Sequence, residues 1–122
     1  MNPSVDSGDF WDYLDQLVNS HPLIIDRRRG SHHPRYPEVI YPLDYGYLEG
    51  TSSSDGGGID VWLGNSQNRT LDAVILTVDL HKRDTEIKFL LGCNREEMQT
   101  ILAFHNDNAM RAILVRRPAK ET

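Results

Sequence analysis

The sequence predicts a mainly β (α+β) domain whose strands close into a barrel, with two helices at its periphery. Three features lead to this prediction. Short runs of β-forming residues alternate between apolar and polar positions, turns rich in glycine, asparagine and aspartate separate these runs, and two stretches carry apolar residues at helical spacing. At 122 residues the chain is long enough to bury one hydrophobic core. We therefore expect a single domain spanning residues 1–122.

The first helix is predicted at Gly8–Asn19, with Ser7 as its N-cap. Pro22 ends it, because the residue before a proline avoids the helical region. Apolar residues recur on one face of this helix at Phe10, Trp11, Leu14, Leu17 and Val18. We expect this helix to cover the core.

The second helix is predicted at Arg95–His105. Asn94 precedes it and Glu97 follows three residues later, which is the spacing of a capping box. His105 lies on the inner face of this helix. Because buried polar groups are normally hydrogen-bonded, we expect this histidine to be a satisfied residue at the edge of the core and not a metal ligand.

Five or more short strands are expected between the helices and up to Arg116. The predicted strands are Leu23–Asp26, Glu38–Tyr41, Ile59–Leu63, Thr70–Val78, Thr85–Leu91 and Met110–Arg116. Side chains alternate between the two faces of a strand, so Glu86 and Lys88 are expected on the same face.

Composition excludes several classes of function. The net charge of −5 argues against a general nucleic-acid-binding protein, which needs a basic face. The single cysteine, Cys93, excludes an internal disulfide and suits a reducing compartment. No apolar run approaches the roughly 20 residues of a membrane span, and the N-terminus lacks the pattern of a secretory signal. We expect a soluble cytoplasmic protein, and the sequence leaves homo-oligomerisation open.

A dense cationic stretch begins with Arg27–Arg29 and ends at Arg35. It has two interpretations: a solvated hairpin with arginines facing water, or a phosphate-binding segment, since guanidinium groups match phosphate geometry. The adjacent residues His32 and His33 point to opposite faces in an extended chain, so a shared metal ion is not expected there.

A glycine loop bracketed by Asp55 and Asp60 leads into the strand Ile59–Leu63. Glycine allows positive φ and a close approach to a ligand, and two carboxylates flanking such a loop suit Mg²⁺. Aspartates that cap turns explain the same residues without any ligand. The residues alone leave both interpretations open.

The stretch Tyr41–Leu63 resembles the core block of soluble inorganic pyrophosphatases, whose pattern is Y-P-x-N-Y-G-Y-I, a short spacer, and D-G-D-P-x-D-V. The matching residues lie in one register without a gap: Tyr41-Pro42, Tyr45-Gly46-Tyr47, Thr51, Asp55-Gly56 and Asp60-Val61. The resemblance extends loosely to about Gly92. It implies an OB-like closed barrel and Mg²⁺-dependent hydrolysis of pyrophosphate, or of a related small phosphorylated substrate.

The resemblance also implies a set of metal ligands. Asp55 and Asp60 match the family's first and last aspartates, and Asp79 matches an aspartate that follows an apolar strand. The family's D-x-K element fits Glu86-Ile87-Lys88 if the hairpin has two extra residues, whereas Asp84 takes the aspartate position without them. We favour Glu86, because it shares a strand face with the lysine.

Substrate contacts follow from the same resemblance. Tyr41 and Tyr45 match tyrosines that line the family's phosphate site, and Lys88 matches the lysine of its D-x-K element. Arg35, or the run Arg27–Arg29, stands in for an arginine that is out of register; we favour Arg35. Catalysis is therefore expected from Asp60, Tyr45 and Lys88.

The sequence departs from the family at several positions. Gly57 replaces the middle aspartate, which in the family orients and deprotonates the attacking water, and Gly58 replaces a proline, which predicts a looser loop. The family's early lysine and glutamate fall near Pro22 and Ile24. These losses keep two alternatives open: a non-catalytic module that binds phosphate or metal, and a phosphohydrolase for another substrate whose larger organic phosphate is held by the arginine run.

Overall fold

The computed structural model describes residues 7–119, apart from the side chain of Ser7, and contains a six-stranded mixed sheet with one helix on each face. The elements in chain order are α1 Ser7–Ser20, β1 Leu23–Arg27, β2 Asp44–Leu48, β3 Ile59–Leu63, β4 Leu71–Asp79, β5 Asp84–Leu91, α2 Arg95–Phe104 and β6 Met110–Arg116. The mainly β prediction with two helices is confirmed. The predicted capping by the Ser7 side chain lies outside the described residues.

The sheet is open, so the predicted closed barrel is wrong. The strand order is β1-β2-β3-β5-β4-β6, and the neighbours are antiparallel except for the parallel pair β3 and β5. Within the described residues β1 pairs only with β2 and β6 only with β4, which makes both of them edge strands. A barrel closes only when the tilt and stagger of all strands bring its two edges together. Alternation and turn chemistry within single strands do not determine that.

The predicted strand Glu38–Tyr41 is also wrong, and the second strand is Asp44–Leu48 instead. Only Ile40 of the predicted stretch makes a bridge, to His32. Pro37 precedes the stretch and has no amide hydrogen with which to extend a ladder. The tyrosine-rich segment Asp44–Leu48, which was not among the predicted strands, is therefore the second strand.

Strand β2 passes very close to β1 at Gly46. A Cβ atom built on Gly46 would lie 1.8 Å from the carbonyl oxygen of Ile24. The pairing of β1 with β2 shifts register between Ile25 and Arg27, as expected beside a β-bulge. Glycine at this position permits the close approach that holds β1 at the sheet edge.

Helix α2 begins with the predicted capping box. The Asn94 side chain accepts a hydrogen bond from the Glu97 amide at 2.8 Å, and the Glu97 carboxylate accepts one from the Asn94 amide at 2.9 Å. The second carboxylate oxygen of Glu97 accepts a hydrogen bond from the amide of Asn65, which follows β3. This contact fixes the start of α2 over one end of the sheet. No helix within residues 7–119 is long and apolar enough to cross a membrane.

Each face of the sheet contributes to one half of the core. Helix α1 covers the face that carries Val61, Val74 and Phe89, and helix α2 covers the opposite face near Trp62 and Ile75. Toward the other end of the α2 face, polar side chains replace apolar ones. That polar end of the sheet forms the floor of the site described next.

Candidate functional site

A cavity of about 780 Å³ lies at the polar end of the α2 face. Part of its wall comes from residues 28–43, the segment between β1 and β2, which we call the strap. The cavity brings together most of the residues predicted from the sequence: Tyr41, Tyr45, Asp55, Asp60, Asp79, Glu86 and Lys88. Asp84 and Arg35 do not line it. Asp84 lies at the hairpin end of β5, and Arg35 is exposed on the strap.

Lys88 is the centre of the site. Its side chain is only 7% exposed, and its ammonium contacts the carboxylate of Asp60 at 2.8 Å and that of Glu86 at 3.6 Å. The ammonium also donates a hydrogen bond of 2.8 Å to the hydroxyl of Tyr45. The prediction that Glu86 and Lys88 share a strand face is confirmed. The register explains the rest, because β3 and β5 run parallel and place Asp60 beside this part of β5.

The cluster holds defined protonation states. Burial by itself would lower the pKa of Lys88, but its interactions with Tyr45 and Asp60, including a hydrogen bond to each, raise that pKa above the ordinary lysine value. Burial raises the pKa of Tyr45, a shift that Lys88 opposes. The lysine is therefore an ammonium and the tyrosine a neutral phenol at physiological pH. Both can donate hydrogen bonds to an anion.

The surroundings of Glu86 disfavour the charged form of its carboxylate. Burial raises its pKa, Lys88 opposes the shift, and the adjoining carboxylate of Asp60 adds to it. The Oε2 atom of Glu86 is buried and has no hydrogen-bond partner, although Lys88 lies within ion-pair distance. Buried polar atoms normally have a hydrogen-bond partner, so this oxygen is an exception among the buried groups of the cluster.

Asp55 and Asp79 line the cavity and also cap turns. The Oδ1 atom of Asp55 accepts hydrogen bonds from the Ser53 hydroxyl at 2.7 Å and the Gly57 amide at 2.9 Å. These two bonds lower the pKa of Asp55. The Oδ1 atom of Asp79 accepts bonds from the two amides that follow Leu80, at 2.9 and 3.1 Å. Both turns are capped through Oδ1, so each residue has a second oxygen to offer a cation.

Hydrogen bonds connect the glycine loop to its surroundings. The Ser54 hydroxyl donates to the carbonyl of Thr85 at 2.8 Å and ties the loop to β5, and the Ser53 amide donates to the carbonyl of Gly57 at 2.7 Å. A Cβ at Gly58 would lie 2.9 Å from the carbonyl oxygen of Leu48. Gly58 therefore supports close packing against β2.

The arginine that lines the cavity is Arg27, which belongs to the second of the two candidates, and not the favoured Arg35. Arg27 is half-buried at the end of β1, donates a hydrogen bond to the hydroxyl of Tyr41, and lies 5.2 Å from the centre of that ring. Arg28 and Arg29 are exposed. The two interpretations of the arginine run therefore apply to different residues. Arg27 faces the cavity, whereas Arg28 and Arg29 face water.

His105 closes the inner end of the cavity. Trp62 donates a hydrogen bond of 3.0 Å from Nε1 to the Nε2 atom of His105, which requires that nitrogen to be unprotonated. Burial lowers the pKa of His105 to about 3, and the positive charge of Lys88 adds to this shift. The prediction of a hydrogen-bonded histidine at the core edge is confirmed.

The acids of the cavity suit a divalent cation in their chemistry. Magnesium prefers carboxylate oxygens, and the partnerless buried oxygen of Glu86 lies next to the carboxylate of Asp60. Among residues 7–119, no three histidine, cysteine, aspartate or glutamate side chains converge as a ready-made metal site. Instead, Lys88 contacts both Asp60 and Glu86. The lysine ammonium is therefore the counter-charge of both acids in this structure.

Comparison with solved structures finds similarity to an inorganic pyrophosphatase from Neisseria gonorrhoeae. The two chains share a TM-score of 0.59 and 15% sequence identity, over 73% of this chain and 77% of that one. The fold is pyrophosphatase-like. No family model matches the sequence, and no curated protein matches it. At this identity the likeness concerns the fold alone.

On this pyrophosphatase-like fold, sequence reasoning missed several residues that line the cavity, among them His33, Tyr36 and Lys82. His33 and Tyr36 lie on the strap, far in sequence from the acidic residues, and Lys82 lies in the turn after β4. A cationic turn directly after Asp79 was visible in the sequence. The two strap residues had no such signal, because the path of a loop between strands depends on tertiary contacts.

Proposed function

We propose that this protein hydrolyses a phosphoanhydride bond in a small phosphorylated substrate, with Mg²⁺ as its cofactor. The observation that supports the proposal most directly is the cluster around Lys88. An ammonium, a neutral phenol and two carboxylates meet at the floor of a cavity on a pyrophosphatase-like fold. Cations, hydrogen-bond donors and acidic metal ligands are the groups that phosphoryl transfer requires.

Each residue has a distinct role in this proposal. Asp60 and Glu86 would hold Mg²⁺, and Asp55 and Asp79 line the same cavity, each with a carboxylate oxygen that does not cap a turn. When bound, the metal neutralises negative charge on the phosphate oxygens.

Three further groups contact the substrate. The ammonium of Lys88 moves from the carboxylates to a phosphate oxygen, and the hydroxyl of Tyr45 donates a hydrogen bond to another phosphate oxygen. Arg27, in place of Arg35, is the arginine that binds phosphate. Because Lys88 and Tyr45 both keep their protons, they stabilise negative charge without a change of protonation. Tyr41 positions Arg27 through the hydrogen bond between the two side chains.

A second candidate function is binding without catalysis. It is favoured by Gly57, which carries no carboxylate at the position where the resembling family has its water-activating aspartate. Loss of a general base typically lowers a rate by about 10²–10⁴-fold. A slow enzyme and a binding module are thus both consistent with this one substitution, and the rate of phosphate release decides between them.

The test is phosphate release from pyrophosphate, tripolyphosphate and nucleoside triphosphates in the presence and absence of Mg²⁺. Asp60→Asn and Glu86→Gln should each abolish Mg²⁺-dependent release. The matched control is Asp84→Asn, which removes an acid from the same strand as Glu86 but outside the cavity. Release that is unaffected by Asp60→Asn, or lost equally with Asp84→Asn, would overturn the assignment of the site. Saturable binding of the substrate without release would establish the second candidate.

A further inference from the structure

The cavity is larger than pyrophosphate needs. Its volume of about 780 Å³ lies within the range of roughly 300–1,000 Å³ that is typical of pockets for drug-sized organic ligands. Acidic and cationic groups of the sheet occupy the floor. The strap contributes three rings to the same cavity, those of His33, Tyr36 and Tyr41, together with Glu38, Val39 and Ile40.

Two rings of the strap, His33 and Tyr36, form what we call the ring pair. Their centres are 5.1 Å apart and their planes are inclined by 45°. The His33 ring also stacks on Tyr41, with centres 6.3 Å apart and planes only 13° from parallel. Tyr36 lines the cavity and yet remains 45% exposed, so the ring has an accessible surface that no other part of the described chain covers.

The His33 ring is held in place before any ligand arrives. Its Nδ1 atom accepts hydrogen bonds from the amides of Arg35 and Tyr36, at 3.0 and 3.2 Å. The His33 amide donates to the carbonyl of Val39, which closes the strap on itself. Because ordering a side chain on binding has an entropic cost, a ring fixed in advance favours the binding of another ring.

Cationic side chains lie between the acidic floor of the cavity and the ring pair. Arg27 lies against Tyr41 on the strap side, and Lys82 lines the cavity beside the acidic floor. A ligand that reaches from Lys88 to the ring pair would therefore pass a guanidinium or an ammonium along its length. These charges suit a chain of phosphates, and the rings suit a planar base, since bases stack readily on aromatic side chains.

We propose that the substrate of this site is a nucleoside di- or triphosphate, whose phosphates contact Lys88 and Arg27 and whose base stacks on the ring pair. The inference rests on the proposed function, because it uses the same phosphate-binding floor. It adds that the strap provides base binding, so a nucleotide binds more tightly than a bare diphosphate.

The test compares two ligands that this chemistry cannot hydrolyse because a carbon bridges their phosphorus atoms. These are methylenediphosphonate and α,β-methylene adenosine diphosphate, titrated calorimetrically with Mg²⁺ present. The nucleotide analogue should bind at least about tenfold more tightly than the diphosphonate. Tyr36→Ala should weaken the nucleotide about 5- to 100-fold and leave the diphosphonate unchanged, because stacking on an aromatic side chain contributes on this scale.

Two variants serve as controls. Tyr36→Phe keeps the ring and should restore nucleotide affinity, which a merely structural disturbance of the strap would not predict. Tyr13→Ala removes a similarly exposed tyrosine from α1 and should change neither affinity. Equal affinity for both ligands, or insensitivity of nucleotide binding to Tyr36→Ala, overturns the inference while the proposed function stands. If neither ligand binds with Mg²⁺, the phosphate site itself is wrong and both proposals fall.

Discussion

Lys88 on β5 donates a hydrogen bond of 2.8 Å to Asp60 on β3, the parallel neighbour of its own strand. The whole of β4 separates these residues in the sequence, but in the sheet β5 lies between β3 and β4. The charge pair at the centre of the site is thus created by strand order. It also places a buried ammonium against two acids, which has a measurable consequence for stability.

Replacing Lys88 with methionine should destabilise the protein strongly. The substitution leaves Asp60 and Glu86 side by side without a counter-charge, and removing one partner of a buried ion pair costs about 3–5 kcal/mol. Because the Asp60 side chain is 22% exposed, we expect a somewhat smaller loss of about 2–4 kcal/mol in the free energy of unfolding. Urea unfolding at pH 7 measures it.

Lys82→Met is the matched control for this experiment, since it removes an exposed cation from the same cavity and should stay within about 0.5 kcal/mol of wild type. Adding Asp60→Asn to Lys88→Met should recover part of the lost stability. A Lys88→Met protein as stable as wild type would mean that solvent already satisfies the two carboxylates.

Replacing Gly57 with aspartate should increase Mg²⁺-dependent phosphate release. Positive φ in this loop occurs at Gly56, and a Cβ at Gly57 would meet only the Asp55 side chain, at 3.3 Å. A carboxylate can therefore be added without backbone strain. A positioned general base contributes up to about 10²–10⁴-fold, although the gain is smaller when other catalytic groups are absent.

Gly57→Ala controls for the added side chain, and Asp60→Asn combined with Gly57→Asp should remove any gain. The comparison is made with pyrophosphate and saturating Mg²⁺. A Gly57→Asp protein that folds, binds Mg²⁺ and releases no more phosphate than wild type would indicate that the site is not a weakened pyrophosphatase centre, and would favour the binding function.

The elements that sequence analysis predicted well are those determined by neighbouring residues. Asn94 and Glu97 are three positions apart, so the capping box of α2 could be predicted from local chemistry alone. Asp55 likewise caps the turn that composition indicated. Its proximity to Glu86 could be expected only through resemblance to a known family.

The elements that were predicted wrongly depend on distant contacts. Strand β2 contains Gly46 and follows Pro42, a composition typical of turns, and it forms a strand because β1 and β3 pair with it on both sides. The prediction of a closed barrel was wrong for a similar reason. No residue of β6 by itself determines whether this strand pairs with β1. The cavity-lining position of Tyr36 depends on the path of the whole strap.

Replacing Gly46 with alanine should detach β1 from the sheet. The new Cβ would fall 1.8 Å from the Ile24 carbonyl oxygen, and backbone atoms cannot move aside as a flexible side chain can. We expect a loss of more than about 3 kcal/mol in the free energy of unfolding, as for severe overpacking. Faster hydrogen exchange of the β1 amides locates the damage. Gly57→Ala changes an exposed glycine and should have little effect on the hydrogen exchange of the β1 amides. A similar effect of Gly46→Ala and Gly57→Ala would contradict the steric explanation.

The stability of the protein should fall as pH decreases below about 6.5 because of His105. Burial lowers its pKa from 6.5 to about 3 in the folded state, so between these values the unfolded chain binds a proton that the folded chain does not. The free energy of unfolding therefore decreases as pH falls through this window, by up to about 1.4 kcal/mol per pH unit.

His105→Gln provides the comparison, because its amide oxygen can still accept the hydrogen bond from Trp62 but cannot titrate. Urea unfolding at pH 7.5 and 5.0 should show a larger loss for wild type than for this variant. Equal losses for the two proteins would mean that His105 is protonated in the folded state, in conflict with its bond from Trp62.

The insertion of β5 between β3 and β4 also affects how the chain acquires its structure during synthesis. Strand β3 leaves the ribosome well before β5, its parallel partner. Strand β4 is synthesised next, but it pairs with β5 and β6 and not with β3. The open edge of β3 must wait until the β4–β5 hairpin has formed, and such non-local pairings generally form slowly. A nascent chain that ends before β5 would carry Asp60 on a strand whose edge is still open, and open edges can pair with other chains.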